Sequence, residues 1–247
     1  FLPFVTALYV RTAGDTAVLQ EPVPYLRAEP LQEGQREKMF SPEVSERSEP
    51  LWQHCLRAID HIRLGEHGLP LTGGGNWGEG INPTGGETDE SVWLGMFLCE
   101  VIRRFLPCVD AETAARLSER RRELLVSLER HSWDGAWYLR AYDPAGDKIG
   151  ASANSECRID LIPQCWAVFC GLSRERCELG MESVRQMLYD PDAGLLKLFT
   201  PPFDGESRPN SLAGYLPGVR ENGGQSTLAA CWAMGAFLQL GQPDRAW

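Results

Sequence analysis

One stretch carries a carboxyl group, an indole and two amides on a backbone made largely of glycine: Gly73-Gly74-Gly75-Asn76-Trp77-Gly78-Glu79-Gly80-Ile81-Asn82, with Gly85-Gly86-Glu87 behind it. Glycine gives up the most conformational freedom on ordering, so this run cannot hold a regular helix or strand. It can bring backbone amides close to a ligand. Trp77 offers an apolar face to a sugar ring and Glu79 offers a proton. A mobile surface loop is the plain alternative, and Trp77 could equally be a core side chain.

Composition narrows the chemistry. The 247 residues are enough for a sizeable core, as one domain or part of a larger one. A net charge of −10 argues against a general nucleic-acid binder, which needs a basic stripe on phosphate. No apolar run is long enough to cross a bilayer, and the first residues lack the basic lead-in of a secretory signal. The eight cysteines form no C-x-x-C pair. Cys55, Cys99, Cys165, Cys170 and Cys231 fall in apolar helical patterns and read as reduced, structural thiols of a cytosolic protein. His54, His61 and His67 are metal ligands by type but have no carboxylate or thiol partners at ligand spacing, so no metal is expected.

The elements that must position the glycine-rich stretch are mostly helical. Short helices are predicted over 3–13 and 15–20, then a long surface excursion over 21–43. A helix follows from Glu43 to about Leu64, with Leu51, Trp52, Cys55, Ile59 and Ile62 on one face. After the glycines, Thr88-Asp89 reads as an N-cap, with Glu90 opening a helix to Leu106 that is apolar nearly all round and therefore buried. Its amide end points back at the loop and favours an anionic or hydroxyl-rich ligand. The next helix, 110–131, is the opposite: Arg116, Glu119, Arg120, Arg121, Arg122 and Glu123 make a solvated face. Alternation at 133–150 around Asp143-Pro144-Ala145-Gly146-Asp147 predicts a hairpin. Helices are expected over 161–172 and 173–189, an irregular Pro- and Gly-rich segment over 191–219, and a last helix from Gln225 to Leu240. Buried and exposed helices alternate, which suggests two concentric layers: part of an α/α barrel with a small β-hairpin insertion. A solenoid of helix pairs would give a similar pattern. Both ends fall within helix-like runs, so residues 1–247 are expected to be a fragment of one domain truncated at both ends.

Three stretches together resemble one enzyme family. They are Gly68 to Leu71 with Gly73 to Asn82 and Glu90 to Leu94; Glu156 to Val168; and Gly214 to Gln225. In order and spacing these are similar to the inverting β-glucan phosphorylases of glycoside hydrolase family 94. That family includes cellobiose, chitobiose and 1,2-β-oligoglucan phosphorylases and the C-terminal domain of cyclic β-1,2-glucan synthase. The second and third stretches look most like the β-1,2-glucan branch. The resemblance implies an (α/α)6-barrel catalytic domain behind an N-terminal β-sandwich, with further barrel helices in the full-length protein. It also implies phosphorolysis of a β-glucosidic bond with inversion, giving α-glucose 1-phosphate. The partners are then a β-glucan oligosaccharide and inorganic phosphate as co-substrate, with no other cofactor. A homodimer is among the open oligomeric states. The setting is cytoplasmic, or the cytosolic part of an inner-membrane synthase.

By the same resemblance Glu79 is the catalytic acid, where the family loop Gly-Asp-Trp-Asn-Asp-Gly-Met-Asn has Asp. Asn76, Trp77, Arg158, Gln164, Tyr215, Arg220 and Glu221 are the substrate-binding positions. Glu156 and Asp160 could equally be helix or turn caps. Three departures stand out. Asn76 replaces an Asp, Glu79 is one methylene longer than its counterpart, and Leu228 stands where the family has a phosphate-contacting His, which leaves the phosphate ligands unassigned. Two other readings therefore stay open: a catalytically weakened glycan-binding or chain-length-controlling domain, and an inverting hydrolase using Asp160 or Glu221 to activate water.

Overall fold

A computed structural model describes residues 1–32, 38–73, 88–205, 212 and 214–246. Helices make up most of the regular secondary structure among the described residues, and the chain forms two compact units: residues 1–63 with 101–121, and residues 64–100 with 122–247.

In the first unit, α1 (Leu2–Ala13) starts with Pro3, whose missing N–H costs nothing in a first turn. It stops at Gly14, whose φ of 70° lets its N–H return to the Val10 carbonyl. The segment expected to wander instead contains β1 (Pro22–Arg27), paired antiparallel with β2 (Glu43–Pro50). Residues 43–50 are therefore strand, not the start of the expected helix. Pro50 separates them from α2 (Leu51–Asp60), which keeps only the part of the sequence that bears the apolar face. Cys55 and Ile59 on that face are buried, and the Cys55 thiol lies 3.5 Å from Thr6 Oγ1 of α1. His54 is no ligand: it stacks on Tyr25 and its Nε2 lies 2.9 Å from the Val23 carbonyl. The charge run also does more than face water, since Arg116 grips Asp60 through two bonds of 2.9 and 3.1 Å and Arg120 donates to the Ile62 carbonyl.

The second unit holds everything near the glycine-rich stretch. Here β3 (Glu90–Ser91) precedes α3 (Val92–Phe105), so Asp89 is not the cap. Ser91 takes that role, its Oγ accepting from the Leu94 N–H at 3.1 Å. Glu90 and Ser91 are drawn out as strand because β4 (Ala141–Tyr142) pairs with them, and β5 (Lys148–Ile149) completes the sheet. The predicted hairpin is thus present, with Asp143 Oδ1 accepting from Ala145 and Asp147 N–H and Gly146 at φ 85° closing the turn. As its all-round apolar pattern predicts, α3 buries Val92, Trp93, Met96, Phe97, Leu98, Cys99, Val101, Ile102 and Phe105. Side chains of this kind stabilise by about 1.5–3 kcal/mol each when fully buried. The long charged helix is α4 (Ala111–His131).

Next come β6 (Ile159–Asp160) and α5 (Leu161–Cys170), nine of whose residues are buried, and then the amphipathic α6 (Arg174–Met187). Gly180 lets α6 lie close against Gln164 of α5, since a Cβ there would meet Gln164 Oε1 at 2.9 Å. The segment read as irregular contains two two-residue strands: β8 (Leu195–Leu196) pairs with β7 (Tyr189–Asp190), which lies just before it, and β9 (Phe199–Thr200) pairs with β6. Pairs this short leave no periodicity to read. The last helix, α7 (Thr227–Gln239), is capped by Ser226, whose Oγ accepts from Ala229 N–H. It buries Ala229, Ala233, Ala236 and Phe237 but leaves Leu228, Met234 and Leu238 exposed. All eight cysteines are free thiols; seven are buried, and Cys231, expected inside, is exposed. Among the described residues no helix is long and apolar enough to cross a membrane, and no three metal-ligating side chains gather.

The deepest polar contact is between the hairpin and α5. Arg140 Nε lies 3.3 Å from Asp160 Oδ2, with the side chains 2 and 1% exposed. Asp160 Oδ1 also caps α5 by accepting from Ile162 N–H at 2.8 Å. Breaking a buried ion pair by removing one partner costs about 3–5 kcal/mol. Asp160→Ala is therefore expected to lower the unfolding free energy by about that amount, read as a lower urea midpoint at unchanged m-value.

Candidate active site

The three stretches singled out in the sequence lie in the second unit, and their described parts are linked through intervening residues: the first to the second by the Arg140–Asp160 ion pair, the second to the third by backbone bonds of residues 198–201. Asn76, Trp77 and Glu79 lie outside the described residues. The two stems that carry them are described. Thr72 N–H donates to Asp89 O at 2.8 Å, Ser91 N–H donates to Pro70 O at 2.8 Å, and Leu71 bridges Glu90. The glycine-rich stretch therefore leaves and returns across a two-sided backbone clamp. Val92 N–H reaches back to the Arg140 carbonyl, and the Arg140 guanidinium sits 5.8 Å from the Trp93 ring centre. Through Asp160, Arg140 then connects this first stretch to the second.

The second stretch is held along its length. Cys157 and Arg158 N–H donate to Pro201 and Thr200 carbonyls at 2.7 and 2.8 Å, and Leu161 N–H donates to Leu198 O at 2.8 Å. Cys157 adopts a positive φ of 44° and is fully enclosed, and burial pushes its thiol well above the usual range. Glu156 accepts from the Asp204 and Gly205 N–H groups through Oε1, and Asp160 caps α5, so both act as the caps the sequence allowed. Arg158 is exposed, with Nε donating to Asn154 O at 3.2 Å, and its side chain can reach a ligand. Gln164 stands differently. It is 1% exposed; Oε1 accepts from Tyr138 N–H, and Nε2 donates to the Tyr138 and Asp160 carbonyls. To touch a sugar it would first have to release these buried backbone groups.

The third stretch is fastened by Asn222, a residue that sequence reasoning left without a role. Asn222 is wholly buried; Oδ1 accepts from Phe203 N–H, and Nδ2 donates to the Phe203 and Tyr215 carbonyls. Around it the chain folds tightly. Arg220 has φ 50°, and a Cβ on Gly224 would lie 2.6 Å from the Arg220 carbonyl oxygen, so only glycine fits. Gly224 O accepts from Leu198 N–H at 2.8 Å, on the residue just before the strand that pairs with Asp160. The second and third stretches thus share one scaffold. Tyr215, Arg220 and Glu221 are grouped on it. The Arg220 guanidinium lies 5.1 Å from the Tyr215 ring centre and its Nε is 3.6 Å from Glu221 Oε2. An aromatic face, a cation and a half-buried carboxylate together suit a polyhydroxylated ligand. Leu228, in the first turn of α7, is 43% exposed and brings no donor.

Arg140 was also missed. The hairpin sequence alternates Trp137, Leu139 and Ala141 with Tyr138, Arg140 and Tyr142, which reads as one buried and one wet face. All six are buried. Nothing in the local pattern distinguishes a covered charged face from an open one.

The chain spans a small part of the known proteins it matches. It is 39% identical over 257 aligned residues to the cyclic β-(1,2)-glucan synthase NdvB of Rhizobium meliloti, using 100% of this chain and 9% of that protein. It is 33% identical over 230 residues to solabiose phosphorylase of Paenibacillus borealis, 90% of this chain and 27% of that one. With N,N'-diacetylchitobiose phosphorylase of Vibrio proteolyticus the figures are 30% over 251 residues, 96% and 28%. Residues 3–247 match the catalytic domain of the glycosyl hydrolase 94 superfamily, and the chain belongs to that family.

Proposed function

We propose that the chain is the site-bearing part of a phosphorylase-like catalytic domain acting on β-linked glucans, with β-1,2 linkages as the preferred substrate. Glu79 protonates the bridging oxygen while inorganic phosphate attacks the anomeric carbon from the opposite face, releasing α-glucose 1-phosphate. The step balances without a second protein carboxylate, because phosphate takes the place of a base-activated water. Glu79 must hold its proton near neutral pH, which calls for a site shielded from water. Trp77 would wall the sugar; Asn76, Arg158, Tyr215, Arg220 and Glu221 would bind its hydroxyls, with Gln164 bracing from behind. The observation that carries the reading is the linkage of the described parts of the three family stretches, through the Arg140–Asp160 ion pair and the backbone bonds of residues 198–201.

For the fold, we read α3, α5 and α7 as inner helices and α4 and α6 as outer helices of an (α/α)6 barrel. Support comes from the apolar sequences of the first set and the charged faces of the second. A cytoplasmic setting fits the eight free thiols.

A second reading rests on Leu228. With no donor at that position a bound phosphate loses roughly 1.5–3 kcal/mol of charge-assisted bonding, which favours a glycan-binding or chain-length-controlling role. The hydrolase reading is narrower. Asp160 is committed to Arg140 and to the α5 cap, which leaves Glu221 as its water-activating carboxylate.

Full-length protein incubated with β-1,2-gluco-oligosaccharides and phosphate should release α-glucose 1-phosphate; folded protein that releases none rules phosphorolysis out. Glu79→Gln should abolish turnover and leave oligosaccharide binding, followed by calorimetry, within about twofold, since it removes the proton but keeps the shape. Leu228→His should lower the KM for phosphate by about tenfold, the equivalent of one recovered charge-assisted bond. An unchanged phosphate response would mean that the anion is held elsewhere.

A further inference from the structure

The stems of the glycine-rich stretch are joined by more than backbone. Glu90, 3% exposed, directs its carboxylate at the turn that precedes the stretch. Oε1 accepts from the N–H groups of His67 at 3.0 Å and Leu69 at 3.2 Å, and Oε2 lies 2.5 Å from His67 Nδ1. The turn is shaped around this group: a Cβ on Gly65 would stand 2.6 Å from the Glu90 side chain. The imidazole is fixed on its other sides. It stacks on Tyr142 at 3.9 Å and 16°, meets the edge of His131 at 5.2 Å, and Tyr142 in turn donates its hydroxyl to the His131 carbonyl. Tyr142 is also the strand partner of Glu90. The residue that ends the glycine-rich stretch thereby grips the residues that begin it, through one carboxylate and one ring.

We propose that Glu90 and His67 are positioning residues for the reaction: their side-chain clasp sets the spacing of the two stems that flank, in sequence, the segment carrying Glu79. The proposal rests on the assignment of Glu79 as the acid. A clasp is needed because glycine supplies no side chains to fix its own backbone. A displacement of about 1 Å at the reacting group can cost on the order of 100-fold in rate.

The test uses full-length protein and two variants of one position. His67→Leu removes the Nδ1 donor, whereas His67→Asn keeps an amide N–H near the same place. The leucine variant should lose about 10- to 100-fold in kcat with KM and Tm little changed, and the asparagine variant should recover most of that loss. Hydrogen exchange should rise in peptides spanning 64–91 for leucine and return towards the parent for asparagine, a readout that needs no turnover. Wild-type kcat and exchange in the leucine variant would overturn the clasp. Equal losses in both variants, or losses tracking a fall in Tm, would also overturn it, because they report packing of the ring rather than its bond to Glu90. Glu79→Gln run alongside separates the two assignments. If that variant turns over normally, the acid assignment falls and takes the clasp's role with it; if it is dead while His67→Leu is fully active, only the clasp falls.

Discussion

The second unit depends on a charge that cannot be left alone. Arg140 and Asp160 are both out of water, and either by itself would carry a desolvation penalty of several kcal/mol. Arg140 directly precedes the strand beside Glu90, and Asp160 caps α5, so the hairpin and that helix share one buried contact. The cap bond ties the helix start to the same contact. The catalytic reading inherits this coupling: the stems of the glycine-rich stretch and the Arg158 segment are not independent loops but two sides of a single buried contact.

The third stretch is attached by different means. Asn222 is neutral and uses its amide as a substitute for missing sheet, completing the bonds of Phe203 and Tyr215 where no strand partner is present. Gly224 adds a close backbone approach that no side chain would permit. The result is a polar group of Tyr215, Arg220 and Glu221 that contact one another on that base. Loops that bind are usually of this kind, mobile in type yet positioned by a fixed scaffold.

Much of this was legible from the chain alone, and for identifiable reasons. The long helices announced themselves through periodicity, α3 by being apolar all round and α4 by its charged face. The hairpin announced itself through alternation and Asp143-Pro144-Ala145-Gly146-Asp147. The errors cluster where tertiary pairing overrides local preference. Residues 43–50 became strand because β1 was available to pair, and Glu90 became strand because Tyr142 was. The strands at 189–200 are too short to have a period. In the site, Tyr215, Arg220, Glu221 and Gln164 were named through the family resemblance. The buried bonds of Gln164, and the parts played by Asn222, Arg140 and the His67–Glu90 contact, were not legible, since each depends on a partner about 20 or more positions away.

The thiols have a practical consequence. Burial shields seven of them and raises the pKa of several, Cys177 to about 12, so they are poor nucleophiles at neutral pH. Cys231 alone is open, on α7 one turn beyond Leu228. A maleimide dye added to this chain should therefore attach at a single address beside the third family stretch, giving an optical reporter of ligand arrival without any engineered cysteine.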